Sequence, residues 1–193
     1  MTVKETAPIY RSPKRVYTYQ DYLEMPEDGH HYEIINGELL MTPAPITLHQ
    51  KISLKIVELF LQFLRNNPIG ELFYAPVDVV FSEIHVVQPD IFFILKERAD
   101  LITEKNISGA PDLVIEIISP TSAYYDLIEK KEIYEKFGVR EYWIVDPKKH
   151  RLEIYLNEDG KFRLKQRAER SGAANSIILN GLAIQLDRIF DLK

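Results

Sequence analysis

Two carboxylates stand where a folded chain can least tolerate an unpartnered charge. Glu116 interrupts the apolar run LVIEII, and Asp90 opens the run DIFFIL directly after Pro89. An ionised carboxylate at such a position costs several kcal/mol unless it is paired or bound to a metal. If the two runs are neighbouring strands, both acids come within reach of one hard cation. Mg2+ takes one or two carboxylates together with waters and substrate phosphates. Taken alone, Glu116 also reads as a strand-end acid bonded to a lysine. Lys130 supplies a third group. On a helix beginning at Asp126, the residues Leu127, Ile133, Tyr134 and Phe137 define the inward stripe; Lys130 lies near its centre and Lys131 nearer the margin. A lysine so placed needs an anion beside it or loses its proton. The plain alternative is a stem that carries its ammonium out to the surface.

These groups need a scaffold that gathers positions far apart in the chain. LVIEII is short and nearly continuous in apolar residues, as a strand covered on both faces requires. FYAPVDVVF and VVQPDIFFIL read as two β-rich runs, and KERADLITEKNISGAP as a polar connection with a helical turn. The helix of residues 126–137 stops at Gly138. A longer helix is predicted over 48–66, where Ile52, Ile56, Leu59, Phe60 and Phe63 recur at helical spacing before Pro68 and Gly70. Leu54, Val57, Leu61 and Leu64 widen its stripe and predict cover on more than one side. Upstream, Thr18 precedes a short helical stretch, YQDYLEM, closed by Pro26 and Gly29. HYEIINGELLMT then carries Asn36-Gly37, which supplies the positive φ angles of a type I′ hairpin turn. Downstream, EYWIV and LEIYL are strands joined across DPKKH, and KFRLKQR and SIIL are expected to be strands as well. The simplest account is one α/β domain of mixed topology over residues 16–193, preceded by a flexible arm, residues 1–15.

Composition narrows the function. The chain of 193 residues is long enough for a real core, and 46% hydrophobic residues argue against disorder. The lack of cysteine excludes disulfides, thiolate metal sites and cysteine nucleophiles. No apolar run approaches the roughly 18 residues that span a bilayer, and the first residues show no secretory pattern. A cytoplasmic protein without a membrane partner is expected. Lys+Arg at 24 against Asp+Glu at 29 leave a net charge of −5. Proteins that only coat nucleic acid are usually basic, whereas an enzyme can hold metal-binding carboxylates among local basic strips.

The strings VQPDIFF, PDLVIEIISPTS and DLIEKKEIYEKFGVREYWIVDP, in that order, resemble the Uma-type putative restriction endonuclease family, a branch of the PD-(D/E)XK nuclease superfamily. The resemblance runs from the Asn36-Gly37 hairpin to the strands after Asp146-Pro147, and the ordered string over 111–147 carries its specificity. It implies a restriction-endonuclease-like mixed β-sheet core in the order αβββαβ, flanked by helices, with an N-terminal β-hairpin extension. Asp90 matches the acid of the PD element and Glu116 the acid of the second element. The usual lysine two residues later is absent, since Ile118 stands there. Lys130, in the pattern Asp126, Lys130, Tyr134, takes its place. The implied activity is a metal-dependent endonuclease acting on DNA. Asp90, Glu116 and the carbonyl of Ile117 hold Mg2+ or Mn2+, and Lys130 orients or helps deprotonate the attacking water.

Further residues carry two readings each. Glu33 matches a family acid and either reaches the metal from the hairpin or pairs with a lysine across the strands. His49 touches phosphate or water, or serves as a helix-terminal cap or surface group. Asp78 is a further acid near Asp90 or a strand residue paired with a base. Asp126 with Glu129 fits a capping-box-like start of a helix, and Tyr134 reads as packing before catalysis. In KFRLKQR, strand alternation puts Lys161, Arg163, Lys165 and Arg167 on one face, either along a phosphate backbone or as a solvated edge. Lys148, Lys149, His150 and Arg151 share that ambiguity. Tyr142, Trp143 and LAIQLDRIF are expected at the seam of a possible homodimer. The competing function is a catalytically inactive nucleic-acid-binding or assembly module that keeps the fold; the intact set of Asp90, Glu116 and Lys130 favours the nuclease. No G-x-S-x-G, H-E-x-x-H or phosphate-loop pattern supports another hydrolase.

Overall fold

The computed structural model describes residues 15–26, 28–42, 44–119 and 125–191. Apart from Arg15, the expected N-terminal arm lies outside the described residues, and so does the side chain of Asp126. The described chain begins with α1 (Tyr19–Tyr22), whose capping box joins the Thr18 hydroxyl to the Asp21 N–H and the Asp21 carboxylate to the Thr18 N–H. Strands β1 (His31–Ile35) and β2 (Glu38–Thr42) follow as an antiparallel pair. Asn36 and Gly37 turn between them with φ of 54° and 75°, as a type I′ turn requires. Next come α2 (Thr47–Asn66), β3 (Gly70–Tyr74), β4 (Val79–Ser82), β5 (His85–Val87) and β6 (Ile91–Leu95). A 3-10 turn at Lys96–Leu101 leads to β7 (Ile107–Ser108) and β8 (Leu113–Ile117). A π turn, Tyr125–Glu129, opens α3 (Lys130–Phe137), and Gly138 ends it in the left-handed conformation. The chain finishes with β9 (Glu141–Asp146), β10 (Arg151–Glu158), β11 (Lys161–Glu169), β12 (Ala173–Asn175), β13 (Ala183–Gln185) and α4 (Leu186–Phe190).

The strands form a six-stranded sheet ordered β11-β10-β9-β8-β6-β3 and a five-stranded sheet ordered β2-β1-β5-β4-β7, with β12 and β13 paired separately. In the larger sheet, β6 and β8 are antiparallel and β8 and β9 parallel. The succession α2-β3-β6-β8-α3-β9 is the expected αβββαβ core, and the hairpin belongs to the smaller sheet.

Strand periodicity sorts the core into two layers. Leu113, Ile115 and Ile117 of β8 pack with Ile91 and Phe93 of β6 against Ile52, Ile56 and Phe60 of α2. Val114 faces the other way and joins Phe92, Ile94, Ile133 and Tyr134 of α3, and Val79 and Val87 of the smaller sheet. Glu116 shares the parity of Val114, so its side chain points toward α3 and the hairpin sheet.

Several expectations change. Each of the β-rich runs FYAPVDVVF and VVQPDIFFIL is divided between the two sheets, the first between β3 and β4 and the second between β5 and β6. Pro76 and Pro89 lie in the crossings, where the missing N–H ends a ladder. SIIL bends instead of extending; the strand is the preceding Ala173–Asn175. On α2, Val57 and Leu64 pack against the core, but Leu54 and Leu61 are exposed. Leu127 is also exposed, because it lies in the wider π turn and falls out of phase with the α-helical stripe. Tyr142, Trp143, Leu182, Ile184, Leu186 and Ile189 are buried within the chain itself and form no exposed seam.

Candidate active site

The crossing from β5 to β6 passes through Gln88, Pro89 and Asp90, beside the carboxyl end of β8. The pairing of Ile91 with Ile115 continues outward to set Asp90 beside Glu116. Asp90 Oδ2 accepts from the Ile117 N–H at 2.8 Å, and the Asp90 N–H approaches Glu116 Oε2 at 3.4 Å. Ile118 sends its N–H to the Val145 carbonyl of β9. By strand alternation, the polar groups of Ile117 therefore face the opposite side, toward Asp90.

Helix α3 supplies the cation. Lys130, Ile133, Tyr134 and Phe137 recur at i, i+3, i+4 and i+7 and share one face. Lys130 and Tyr134, one turn apart, both reach Glu116 Oε1: the ammonium at 3.4 Å and the phenol donating at 2.5 Å. Glu33, on β1, lies closer to Lys130, with Oε1 2.8 Å from Nζ. Lys130 is 6% exposed, Glu116 2% and Glu33 3%, so the charges are held away from bulk water and interact strongly. His49, in the first turn of α2, places Nε2 2.9 Å from Asp90 Oδ2.

A supporting layer lies behind these groups. The Gln88 N–H donates to Glu33 Oε1 at 2.8 Å, while its side-chain amide donates to Asp78 Oδ1 at 2.8 Å and to the Tyr22 hydroxyl. The Tyr22 hydroxyl in turn donates to Asp78. Of the two readings of Asp78, pairing with a base is not seen among the described bonds; it meets the neutral donors Tyr22 and Gln88 and connects to the site through Gln88. Burial, followed by the nearby Glu116 charge, pushes the Tyr134 phenol well above its ordinary pKa, so it remains a donor. Burial and the Asp78 hydrogen bond do the same for Tyr22.

The structure thus gathers Asp90, Glu116, Ile117, Lys130, Glu33 and His49, and adds Tyr134 as a bonded neighbour of Glu116. Gln88 is not among the residues that the sequence singles out. A polar residue immediately before Pro-Asp, inside an apolar run, is the available signal. The basic row is different. A bulge leaves Lys165 without a strand-pairing partner between the pairs Ile154–Gln166 and Tyr155–Leu164, so the expected single face is broken. Lys161 pairs with Glu135, Lys165 and Arg163 with Glu158, and Arg167 with Glu153. Lys161 and Arg163 also start β11 at the end of the sheet away from Asp90, whereas the turn at 147–150 lies at the same end as Glu116.

Among the described residues, no group of three or more His, Asp or Glu side chains is gathered closely enough to enclose a metal by itself. The oxygen donors of Asp90, Glu116 and Ile117 nevertheless fit a hard divalent cation that keeps part of its water shell.

The model of the Uma2 family, described as putative restriction endonuclease, matches residues 19–187. The chain belongs to the Uma2 family. A crystal structure of a putative nuclease belonging to DUF820 from Anabaena variabilis ATCC 29413 superposes with a TM-score of 0.74 at 21% identity, covering 90% of this chain and 97% of that one. The likeness establishes a shared fold. No curated protein matches the chain. In this Uma2 chain no helix among the described residues is long and apolar enough to cross a membrane.

Proposed function

We propose that this Uma2 protein is a metal-dependent endonuclease that hydrolyses DNA phosphodiester bonds. The observation that carries the reading is the meeting of Asp90, Glu116 and Lys130 at the carboxyl end of β8. Asp90 and Glu116, with the Ile117 carbonyl, would hold Mg2+ or Mn2+. When bound, such an ion supplies Lewis acidity toward the phosphate and activates water. Lys130 orients the attacking water and offsets charge developing on the phosphoryl oxygens. Tyr134 keeps its proton and fixes Glu116 Oε1. His49 and the Ile117 N–H address Asp90 Oδ2, which steadies the carboxylate that would help hold the cation. The duplex backbone meets the basic turn of Lys148 and Lys149, at the same end of the sheet as the acids, more directly than Lys161 and Arg163 at the far end of β11.

The test incubates supercoiled plasmid with the protein in Mg2+ or Mn2+, with and without chelator. Nicking that requires the ion is expected. Binding without cleavage under all of these conditions would favour an inactive module that has kept the fold.

A further inference from the structure

Glu33 lies outside the αβββαβ core, on the first strand of the hairpin, yet it makes the shortest ion pair to Lys130. Its Oε1 is 2.8 Å from Nζ, against 3.4 Å for Glu116 Oε1. The same Oε1 accepts the Gln88 N–H at 2.8 Å. That donor belongs to the peptide that carries the chain into Asp90, and the Gln88 side chain is anchored by Asp78 and Tyr22. The position of Glu33 Oε1 is therefore tied to the backbone that places Asp90. Lysine carries a compact charge on a flexible stem; one anion alone would let Nζ swing about it. Two anions on different sheets hold Nζ between them.

We propose that Glu33 is the positioning residue for Lys130, so that the hairpin sheet completes the site by drawing the ammonium away from the acids that serve the cation. The inference rests on the nuclease reading and deepens it. With Glu33 neutral, Glu116 is the anion left to Lys130 among the described ion pairs. The ammonium then competes with the divalent ion for the same oxygens. Glu33 acts through Lys130 and is not itself a ligand of the ion.

The experiment is a double-mutant cycle with E33Q and K130M, read by plasmid cleavage and by calorimetry of Mn2+ binding, with E33D as the charge-preserving variant. E33Q is expected to slow cleavage by at least about tenfold and weaken Mn2+ binding by roughly tenfold, in the range seen for groups that orient a metal site. Adding E33Q to K130M is expected to leave Mn2+ affinity unchanged, since no ammonium remains to compete. E33D should recover part of the cleavage rate at an unchanged thermal midpoint, and it decides the matter if E33Q does not fold. Wild-type cleavage by E33Q, with D90A and K130M inactive, overturns this inference alone. Equal loss of Mn2+ affinity from E33Q with and without Lys130 also overturns it, because Glu33 would then be a ligand. Wild-type cleavage by both D90A and K130M overturns the nuclease site and this inference together.

Discussion

The two ends of strand β8 hold buried acids in different electrostatic settings. At the amino end, Asp112 is fully buried and accepts from the Leu95 N–H at 2.9 Å and from the guanidinium groups of Arg98 at 3.0 Å and Arg140 at 3.3 Å. Beside it, Glu141 accepts from Trp143 Nε1 and from the N–H groups of Ile177 and Ile178. Those donors tie the last part of the chain to the sheet. At the carboxyl end, Glu116, Asp90 and Glu33 surround one ammonium and one imidazole. Two guanidinium groups match the two carboxylates at the amino end, whereas carboxylates outnumber cations around Lys130. A buried acid is therefore a weak sign of chemistry; a buried cluster with surplus negative charge is a stronger one.

Four measurements put that contrast at risk. The largest effect is expected from Asp90→Ala or Glu116→Ala, each lowering metal-dependent plasmid cleavage by at least about 10²-fold while the circular dichroism spectrum is retained. Asp112→Ala should do the reverse. Leaving the Leu95 N–H and two arginines without their acceptor lowers stability by about 2–3 kcal/mol in urea titration, with cleavage per folded molecule unchanged. Equal loss of activity from both ends would erase the distinction.

The third measurement uses pH. Burial pushes the Glu141 carboxyl above its ordinary value, against the pull of hydrogen bonds from Ile178, Trp143 and Ile177. A folded-state pKa raised above the unfolded one means a stability contribution that is full in acid, below the unfolded value, and is lost as pH rises through the folded value. Glu141→Gln should therefore remove part of the decline in urea midpoint on going from acid toward neutrality. An unchanged pH profile would show that the N–H donors offset burial, and a steeper decline that they outweigh it.

The smallest effect concerns the surface. Replacing Lys148 and Lys149 with glutamate should weaken DNA binding and reduce the slope of log affinity against log salt by about one for each phosphate no longer neutralised. The same change at Lys161 and Arg163, which start β11 at the end of the sheet away from the acids, should matter less. The opposite order would return the phosphate-binding role to β11.

The contrast between the two ends of β8 also shows where reading along the chain succeeds. Glu116 stands out because it breaks an apolar run, and Lys130 because it occupies the centre of an apolar helical stripe. Both are local patterns with fixed periods. Asp112 and Glu141 do not stand out, since each sits at the edge of a run, where an acid is ordinary; only their bonds to Arg98, Arg140, Trp143 and the segment near Ile177 reveal their burial. The division of FYAPVDVVF and VVQPDIFFIL between two sheets is equally hidden. Proline announces a break in pairing without saying where the chain goes next. The exposure of Leu54 and Leu61 has a similar cause: helical spacing marks an apolar face, but only the neighbouring elements determine how much of it is covered.

Periodicity and turn chemistry are short-range, so the amino-acid order alone determined the hairpin at Asn36-Gly37, the extent of the long helix, the buried strand around Glu116 and the inward direction of Lys130. The approach of Asp90 to Glu116, the reach of Glu33 from a second sheet and the pairing of Lys161, Lys165 and Arg167 with acids were settled only in three dimensions. Each depends on which strands become neighbours and in what register. Strand pairing is a choice among distant partners, set by the sum of core packing across both sheets and absent from any single stretch of chain.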